Sequence, residues 1–477
     1  MSALAFPEPR PDQAPRPPTL DIDYTAFSAS LGLDLKTPER SSRTIRSLPR
    51  SRALIMLCSA IGLFGLFQPA LALMGVSVVA FVVFALLVAW RCWLILVATT
   101  PGFRRKPLKA PSERGLPVYS ILIALYREGD TISGLARSLR DMDWPGDRKD
   151  VILLTETGDL RTLAAIDRAA WPTGTRVMTL PPGAPRTKPR ALNYGLAHAA
   201  GRYVCVYDAE DRPHPAQFRA AHAAFLAGGD TLACVQAPLA GDNHRQSWLA
   251  LQWTLEYAVQ FGLFLPALDR LGLPLLLGGT SNHFRKTCLS DAGAWDAWNV
   301  TEDADLGVRL SAKGLKISTI SPPTFEEAPE TLGVWTAQRS RWLKGFLQTW
   351  MVMMHQPVRS YGELGPFSFL SLQIGLIGTC LAAFAHGPLL VLSVFAMALG
   401  VQLPTIAWGL MAAGYGVNVL AVLITPGPKR MQRWLGAATL PLYWPLQSVA
   451  ATRALYEFVR RPHYWAKTPH GITAAVR

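Results

Sequence analysis

Four short stretches hold the residue types that could do chemistry. Tyr207-Asp208-Ala209-Glu210-Asp211 ends an apolar run with three carboxylates, and Gly279-Thr280-Ser281-Asn282 is a small polar turn. Thr301-Glu302-Asp303 adds two acids, and Gln338-Arg339-Ser340-Arg341-Trp342 sets Gln338, Arg341 and Trp342 at i, i+3 and i+4 on one helical face. A hard divalent cation such as Mg2+ or Mn2+ takes one or two carboxylates plus phosphate oxygens and water. Asp208, Glu210 and Asp211 are therefore candidates for an ion that neutralises a leaving diphosphate. Asp303, with Glu302 beside it, is the candidate base for a hydroxyl proton. Arg341 can fork onto a diphosphate, and Trp342 can stack on a ring. Thr280, Gln338 and Trp342 fall to the acceptor side. In this order the stretches describe sugar transfer from a nucleotide diphosphate.

Each stretch alone has a plainer reading. The first is also a solvated acidic loop. The third is also a capped helix start, with Asn299 or Thr301 as the cap and the acids on its positive end. The fourth is also an interfacial helix whose Arg and Trp meet headgroups. A further stretch, Arg186-Thr187-Lys188-Pro189-Arg190-Ala191-Leu192-Asn193, offers Lys188 or Arg190 to phosphate and Asn193 to ribose or sugar. It equally reads as a basic loop entering a helix.

The elements that must position these residues alternate. Val118 to Leu125, Val151 to Leu154 and Tyr203 to Tyr207 are short apolar runs, each ended by an acidic tip, with helix-like stretches between them. That pattern predicts a mostly parallel sheet with helices on both faces, whose ligands sit beyond the carboxyl ends of the strands. The α/β domain is expected over 110–345.

On either side lie apolar runs. Leu54 to Leu73 and Val76 to Val97 precede the domain. Phe367 to Phe384, Leu389 to Val401, Ile406 to Ile424 and Leu435 to Ala451 follow it, predicting about six spans. The expected division is a disordered Pro-rich basic tail over 1–50, two membrane helices over 51–99, the domain, an interfacial segment with four membrane helices over 346–455, and a basic aromatic tail over 456–477. On this count Lys429, Arg430 and Arg433 fall outside the cytoplasm, against the usual bias of positive charge.

Half of the 477 residues are hydrophobic and 17% are charged, against roughly 25% in soluble domains. The net charge of +14 comes with arginines and lysines flanking the apolar runs, which points to anionic lipid. No zinc-finger spacing or aromatic-basic nucleic-acid motif is present. The six cysteines form no CxxC pair and read as reduced thiols, three of them in or beside apolar runs.

Taken together, Tyr126-Arg127-Glu128, Thr187-Lys188-Pro189-Arg190-Ala191-Leu192-Asn193, Asp208-Ala209-Glu210, Thr301-Glu302-Asp303 and Gln338-x-x-Arg341-Trp342 resemble the membrane-embedded family-2 glycosyltransferases, the group of cellulose, curdlan, chitin and hyaluronan synthases. The resemblance runs from about Val118 to the carboxyl terminus. It implies a GT-A-type nucleotide-sugar domain facing the cytoplasm of a bacterial inner membrane. It further implies a UDP-sugar donor, with Tyr126 and Glu128 lining the uridine pocket and Glu156 or Asp159 supplying the second uridine-binding acid. This chain has Asp-Ala-Glu where the family commonly has Asp-x-Asp, and Thr155-Glu156-Thr157-Gly158-Asp159 in place of paired aspartates. The tail Arg461 to Gly471 resembles the ending of certain exopolysaccharide transferases.

The expected reaction is inverting transfer of a hexose to a growing β-glycan, processive and coupled to export, with a polysaccharide acceptor and membrane lipid as partners. Gln373, Trp408, Tyr443 and Trp444 are candidates to line an export path. The alternatives are addition of one sugar to a lipid-linked acceptor and an inactive sugar-binding or export scaffold.

Overall fold

The computed structural model describes residues 24–47, 56, 59–60, 62–102, 115–400 and 404–465. Helix α1 (Tyr24–Lys36) leads into two short turns ending at Ser47, and α2 (Pro69–Thr99) precedes the domain. The domain runs β1 (Tyr119–Leu125), α3 (Ile132–Asp141), β2 (Lys149–Glu156), α4 (Leu160–Arg168), β3 (Arg176–Leu180), α5 (Lys188–His198), β4 (Tyr203–Tyr207), β5 (Arg212–Pro213), α6 (Gln217–Gly228), β6 (Leu232–Gln236), β7 (Leu239–Gly241), α7 (Trp248–Val259), α8 (Leu265–Leu271), β8 (Asn282–Arg285), α9 (Lys286–Asp291), α10 (Glu302–Ala312), β9 (Lys316–Thr319), β10 (Thr324–Glu326) and α11 (Leu332–Met353). Then come α12 (Pro357–Leu364), α13 (Pro366–Ala398, with a wider turn at 374–378), α14 (Thr405–Ile424), α15 (Arg430–Ala438) and α16 (Leu440–Arg460).

The main sheet has seven strands in the order β3-β2-β1-β4-β8-β6-β9. Only β8 runs antiparallel to its neighbours. Successive side chains alternate between faces, and both faces are covered, so the strands read as continuous apolar runs. Leu122, Ile152, Leu154, Val204 and Val206 pack on one side with Leu192 and Leu196 of α5. Tyr119, Ile121, Val151, Leu153 and Tyr203 pack on the other with Leu135 of α3 and Phe218 of α6. A small sheet, β5-β10-β7, stands beside the carboxyl end of β4. Cys205 and Cys234 are buried free thiols, and Cys92, Cys288 and Cys380 are also unbridged.

The structure corrects the expected tail. Residues 24–47 are ordered, and 1–23 lie outside the described residues. Ala29 and Leu33 of α1 are buried. Ser42 donates its amide to Asp296 at 2.6 Å, and Arg40 pairs with Glu363 of α12 at 2.6 Å. Pro and Arg content dominated the compositional reading, while the apolar face of α1 finds its partner on α5.

The spans are corrected too. Three helices among the described residues are long and apolar enough to cross a membrane: Ser77–Thr99, Pro366–Ala398 and Thr405–Ile424. Of the run Leu54 to Leu73, positions 54–55, 57–58 and 61 lie outside the described residues; 62–67 are helical, and α2 begins at Pro69. The two runs expected at 367–384 and 389–401 are one helix that passes through Pro388. Neighbouring groups supply bonds at that point: Ser448 Oγ accepts from Gly387 at 2.8 Å, and His386 meets Tyr415 Oη at 2.9 Å. The run expected at 435–451 is split at Thr439 between α15 and α16, and α16 carries Arg453, Glu457 and Arg460. Arg91 of α2 is bonded to Asn418 of α14.

Candidate active site

Every cleft-lining tip follows from strand order. β1, β2 and β4 are adjacent and parallel, so the loops after them open side by side. They meet the amino end of α10 and one face of α11 around a cleft of about 530 Å³, within the size range of small-molecule sites. Tyr126, Glu128, Glu156, Asp159, Lys188, Asp208, Glu210, Thr280, Glu302, Asp303, Gln338, Arg341 and Trp342 all line it. These are thirteen of the residues singled out above, drawn from loops and helices as far apart in the chain as Tyr126 and Trp342.

Not all are free to act. Asp159 caps α4, with Oδ1 accepting from Thr162 at 3.3 Å, and its other oxygen takes the amide of Arg127. It therefore braces the loop after β1 while lining the cleft. Glu156 lies 4.0 Å from Arg190. Burial raises its pKa, with Arg190 and Arg186 opposing.

Asn193 and Asp211 stand apart from the cleft wall. Asn193 does not reach the cleft: its amide donates to Ala29 and Trp295 carbonyls at 3.1 and 2.8 Å and accepts from Trp295 N, locking α1 and the loop after α9 onto α5. Asp211 is fully buried behind the tip. It accepts from the amide of Asp208 at 2.7 Å and from the hydroxyl of Thr280, so Thr280 is also spent on the fold. Burial, then the charges of Asp208 and Glu210, push Asp211 well above the carboxylate range. A buried acid bonded to its own loop shapes Asp208 from behind.

The remaining donors for a metal are the carboxylates of Asp208 and Glu210. Among the described residues no three His, Cys, Asp or Glu side chains are gathered for an ion. Two cleft-facing carboxylates suit an ion that completes its shell from a diphosphate and water. Lys188, the first residue of α5, donates to Asp208 and at 2.6 Å to the Gly279 carbonyl. Burial works against its charge, yet Asp208 and Glu302 outweigh that and raise its pKa.

Glu302 and Asp303 open α10 beneath the cleft. Burial raises Glu302 to about 8, helped by the Asp303 charge and opposed by Lys188 and Arg341. Burial also raises Asp303, against the amide of Ala304 and the charges of Lys188 and Arg341. A carboxylate with raised affinity for protons is suited to general-base work. Helix α11 presses on this pair because residue 345 is glycine. A Cβ there would stand 2.2 Å from Thr301 Oγ1.

Gln338, Arg341 and Trp342 share the cleft-facing side of α11, as their spacing predicts. Gln338 accepts from Trp253 Nε1 at 2.9 Å. Arg341 donates to the Val300 carbonyl at 3.3 Å, while its buried Nε has no partner. Trp342 lies 6.0 Å from Tyr257, ring centre to ring centre.

The structure adds Glu326, Tyr257 and Trp465 to the cleft. Tyr257 stands four residues after Trp253 and stacks on it at 3.6 Å, so helical spacing could have found it. Trp465 packs under the Arg341 guanidinium at 4.8 Å. Its neighbour Tyr464 is held by Lys344 at 2.8 Å. Nothing local in the sequence marked Glu326.

Comparisons with known proteins agree with this geometry. Residues 120–281 match the model of glycosyl transferase family 2, and residues 203–424 match that of glycosyl transferase family group 2. Beta-monoglucosyldiacylglycerol synthase of Synechocystis is 25% identical over 74% of this chain and 75% of its own length. A probable glucomannan 4-beta-mannosyltransferase of rice is 25% identical over 50% of this chain, and the match spans about half of that relative, 47%. Among solved structures, a Pyrobaculum calidifontis mannosyltransferase in complex with GDP-Man and Mn2+ superposes with a TM-score of 0.51 at 16% identity, over 80% of this chain and 99% of that one. That likeness shows the fold, a GT-A-like α/β domain.

Proposed function

We propose, for a chain that is a glycosyltransferase with a family-2 domain, that it moves a hexose from a UDP-sugar, with inversion, to a hydroxyl of an acceptor held at the membrane face. The carrying observation is that Asp208, Asp303 and Arg341 line one cleft. Asp303 takes the proton of the acceptor hydroxyl as its oxygen attacks C1 of the sugar. The bond from C1 to the diphosphate oxygen breaks on the opposite face, and UDP leaves with the bonding pair. Lys188 and Arg341 supply positive charge to that group. Asp208 and Glu210 would hold a divalent cation, which when bound supplies further charge neutralisation to the diphosphate. Tyr126, Glu128 and Glu156 form the nucleoside end.

The acceptor end is set by α11. Its far side packs against α16 through Ser340, which donates to the Ala450 carbonyl at 3.0 Å, and Cys380 of α13 reaches the Leu343 carbonyl. The acceptor thus meets the base beside the foot of an apolar helix. Addition of one sugar to a lipid-borne acceptor is the reading this supports best. The glycolipid synthase that shares three quarters of its length points the same way. So does the use of expected channel residues for packing: Gln373 accepts from Trp350 at 2.7 Å, and Tyr443 bonds both Trp335 and Glu256.

Growth of a β-glycan exported as it forms is the second reading. It is favoured by the glucomannan relative and by the paired rings of Tyr257 and Trp342. Purified protein in lipid vesicles with radiolabelled UDP-hexose separates them. One sugar per lipid-extractable product supports the first. High-mass, glycanase-sensitive material establishes the second, and absence of UDP release removes both.

A further inference from the structure

One cleft carboxyl has no part in the chemistry above. Glu326 is the last residue of β10, which pairs in parallel with β7, Glu326 opposite Gly241. Its own carbonyl accepts from Asp242 N at 3.3 Å. The backbone therefore fixes where the carboxyl stands. The side chain lines the cleft, and its Oε1 is buried without a hydrogen-bond partner. A buried polar oxygen in that condition is costly to the fold and calls for a donor.

Its position belongs to the acceptor end. The nucleoside end is built by the tips of β1 and β2, whereas β10 lies in the small sheet beyond β4. Glu326 is close enough to Tyr257 for its charge to oppose ionisation of that phenol, and Tyr257 faces Trp342. A carboxyl that shares a cleft with two aromatic faces suits a polyhydroxylated ligand. The rings cover its apolar C–H face and the carboxyl takes its hydroxyls, as acceptor when ionised and as donor and acceptor when protonated. Ionised and without a cation of its own among the described residues, the same carboxyl repels an anionic acceptor head.

We infer that Glu326 is a specificity-determining residue of the acceptor subsite, reading hydroxyls of a neutral, polyhydroxylated acceptor head laid against Tyr257 and Trp342, and excluding heads that carry phosphate. This rests on the glycosyl-transfer reading.

The test uses the full chain in nanodiscs with UDP-hexose, octyl β-glucoside as neutral acceptor and dodecyl phosphate as anionic one. Glu326→Gln, Glu326→Ala and Glu326→Asp are compared by UDP affinity, donor hydrolysis and acceptor KM. The expected result is unchanged UDP affinity and an acceptor KM raised about ten- to hundredfold in the Gln and Ala variants. Donor hydrolysis should continue without transfer, the Asp variant should recover part of the loss, and wild type should leave dodecyl phosphate untouched. If Glu326→Ala fails to bind UDP, the isosteric Gln variant carries the comparison. The inference is overturned by an unchanged acceptor KM, by UDP affinity falling in step with it, or by wild type that hydrolyses donor yet transfers to dodecyl phosphate as readily as to the glucoside or to neither. Wild type that releases no UDP fails the glycosyl-transfer reading itself.

Discussion

Lys188 and Asp208 are joined across the cleft: the ammonium at the start of α5 bonds the first carboxylate after β4 and, at 2.6 Å, the Gly279 carbonyl. A positive charge thus already stands where a diphosphate would arrive, with Asp208 as its anchor. If Asp208 and Glu210 hold a divalent ion, binding of the nucleotide and of the metal must reinforce each other. Chelation should lower transfer by at least about a hundredfold, since charge stabilisation of this kind is worth several kcal/mol. In Asp208→Ala, UDP affinity should be the same with and without Mn2+. Titration calorimetry reads this directly, and a variant whose UDP affinity still responds to Mn2+ would move the metal elsewhere.

Asp303 carries the second prediction. Asp303→Asn should lose transfer by about 100- to 10,000-fold, the usual cost of a general base, while UDP affinity stays near wild type. The relevant comparison is single-turnover rate against nucleotide binding. Equal loss in both would make Asp303 a structural acid of the α10 cap.

Its neighbour gives a pH prediction whose sign follows from proton counts. Burial and the Asp303 charge raise Glu302 from 4.5 to about 8. Across that window the folded protein keeps a proton that the unfolded chain has released, so stability should fall as pH rises from about 4.5 to about 8 and level off above. Glu302→Gln, neutral throughout, should flatten that part of the profile. Tm measured through the window in wild type and variant checks it, and an undiminished slope in the variant would assign the effect to other groups.

What could be read from sequence divides along physical lines. The tips after β1, β2 and β4, the acids at the start of α10 and the face of α11 were legible because strand ends and helical spacing are local properties. Asn193 was misread because its partners, Ala29 and Trp295, lie 164 and 102 residues away. Asp211 was counted with Asp208 because the turn that sends it inward toward Thr280 leaves no mark in composition. Hydropathy located α2 and α14. It could not tell one helix passing through Pro388 from two, since the bonds of Gly387 and His386 that sustain it come from other helices.

The contact between α10 and α11 yields a packing prediction. Gly345 is where α11 meets Thr301, the residue before the two acids, and a methyl group would stand 2.2 Å from its hydroxyl oxygen. Gly345→Ala should gain helix propensity yet destabilise the protein, because overpacking of this kind costs about 1–3 kcal/mol. The separation it forces also pulls Arg341 from Asp303, so transfer should fall further than the loss of folded protein accounts for. Activity normalised to folded enzyme provides the check, and a stable, fully active variant would show that the helices slide freely.

The last prediction concerns sidedness. With Pro366–Ala398 as one helix and not two, α13 leaves the face that carries the catalytic domain and α14 returns to it. Lys429, Arg430 and Arg433 then fall on the same side as the domain, in keeping with the usual placement of positive charge beside a span. The packing requires this independently of charge. Gln252 of α7 donates to the Gly436 carbonyl of α15 at 2.9 Å, and Tyr443 of α16 donates to Glu256 of α7 at 2.8 Å. Beyond α16 the chain turns back along α11, where Gln348 holds the Pro462 carbonyl at 3.2 Å and Trp465 enters the cleft. Neither α15 nor that returning segment can lie across a bilayer from the domain. Single cysteines introduced at Asp159, Lys429 and Gly400 of an otherwise cysteine-free chain should label from the cytoplasm, the cytoplasm and the outside, respectively. Labelling of position 429 from the outside would contradict both the charge argument and the contact of α15 with α7.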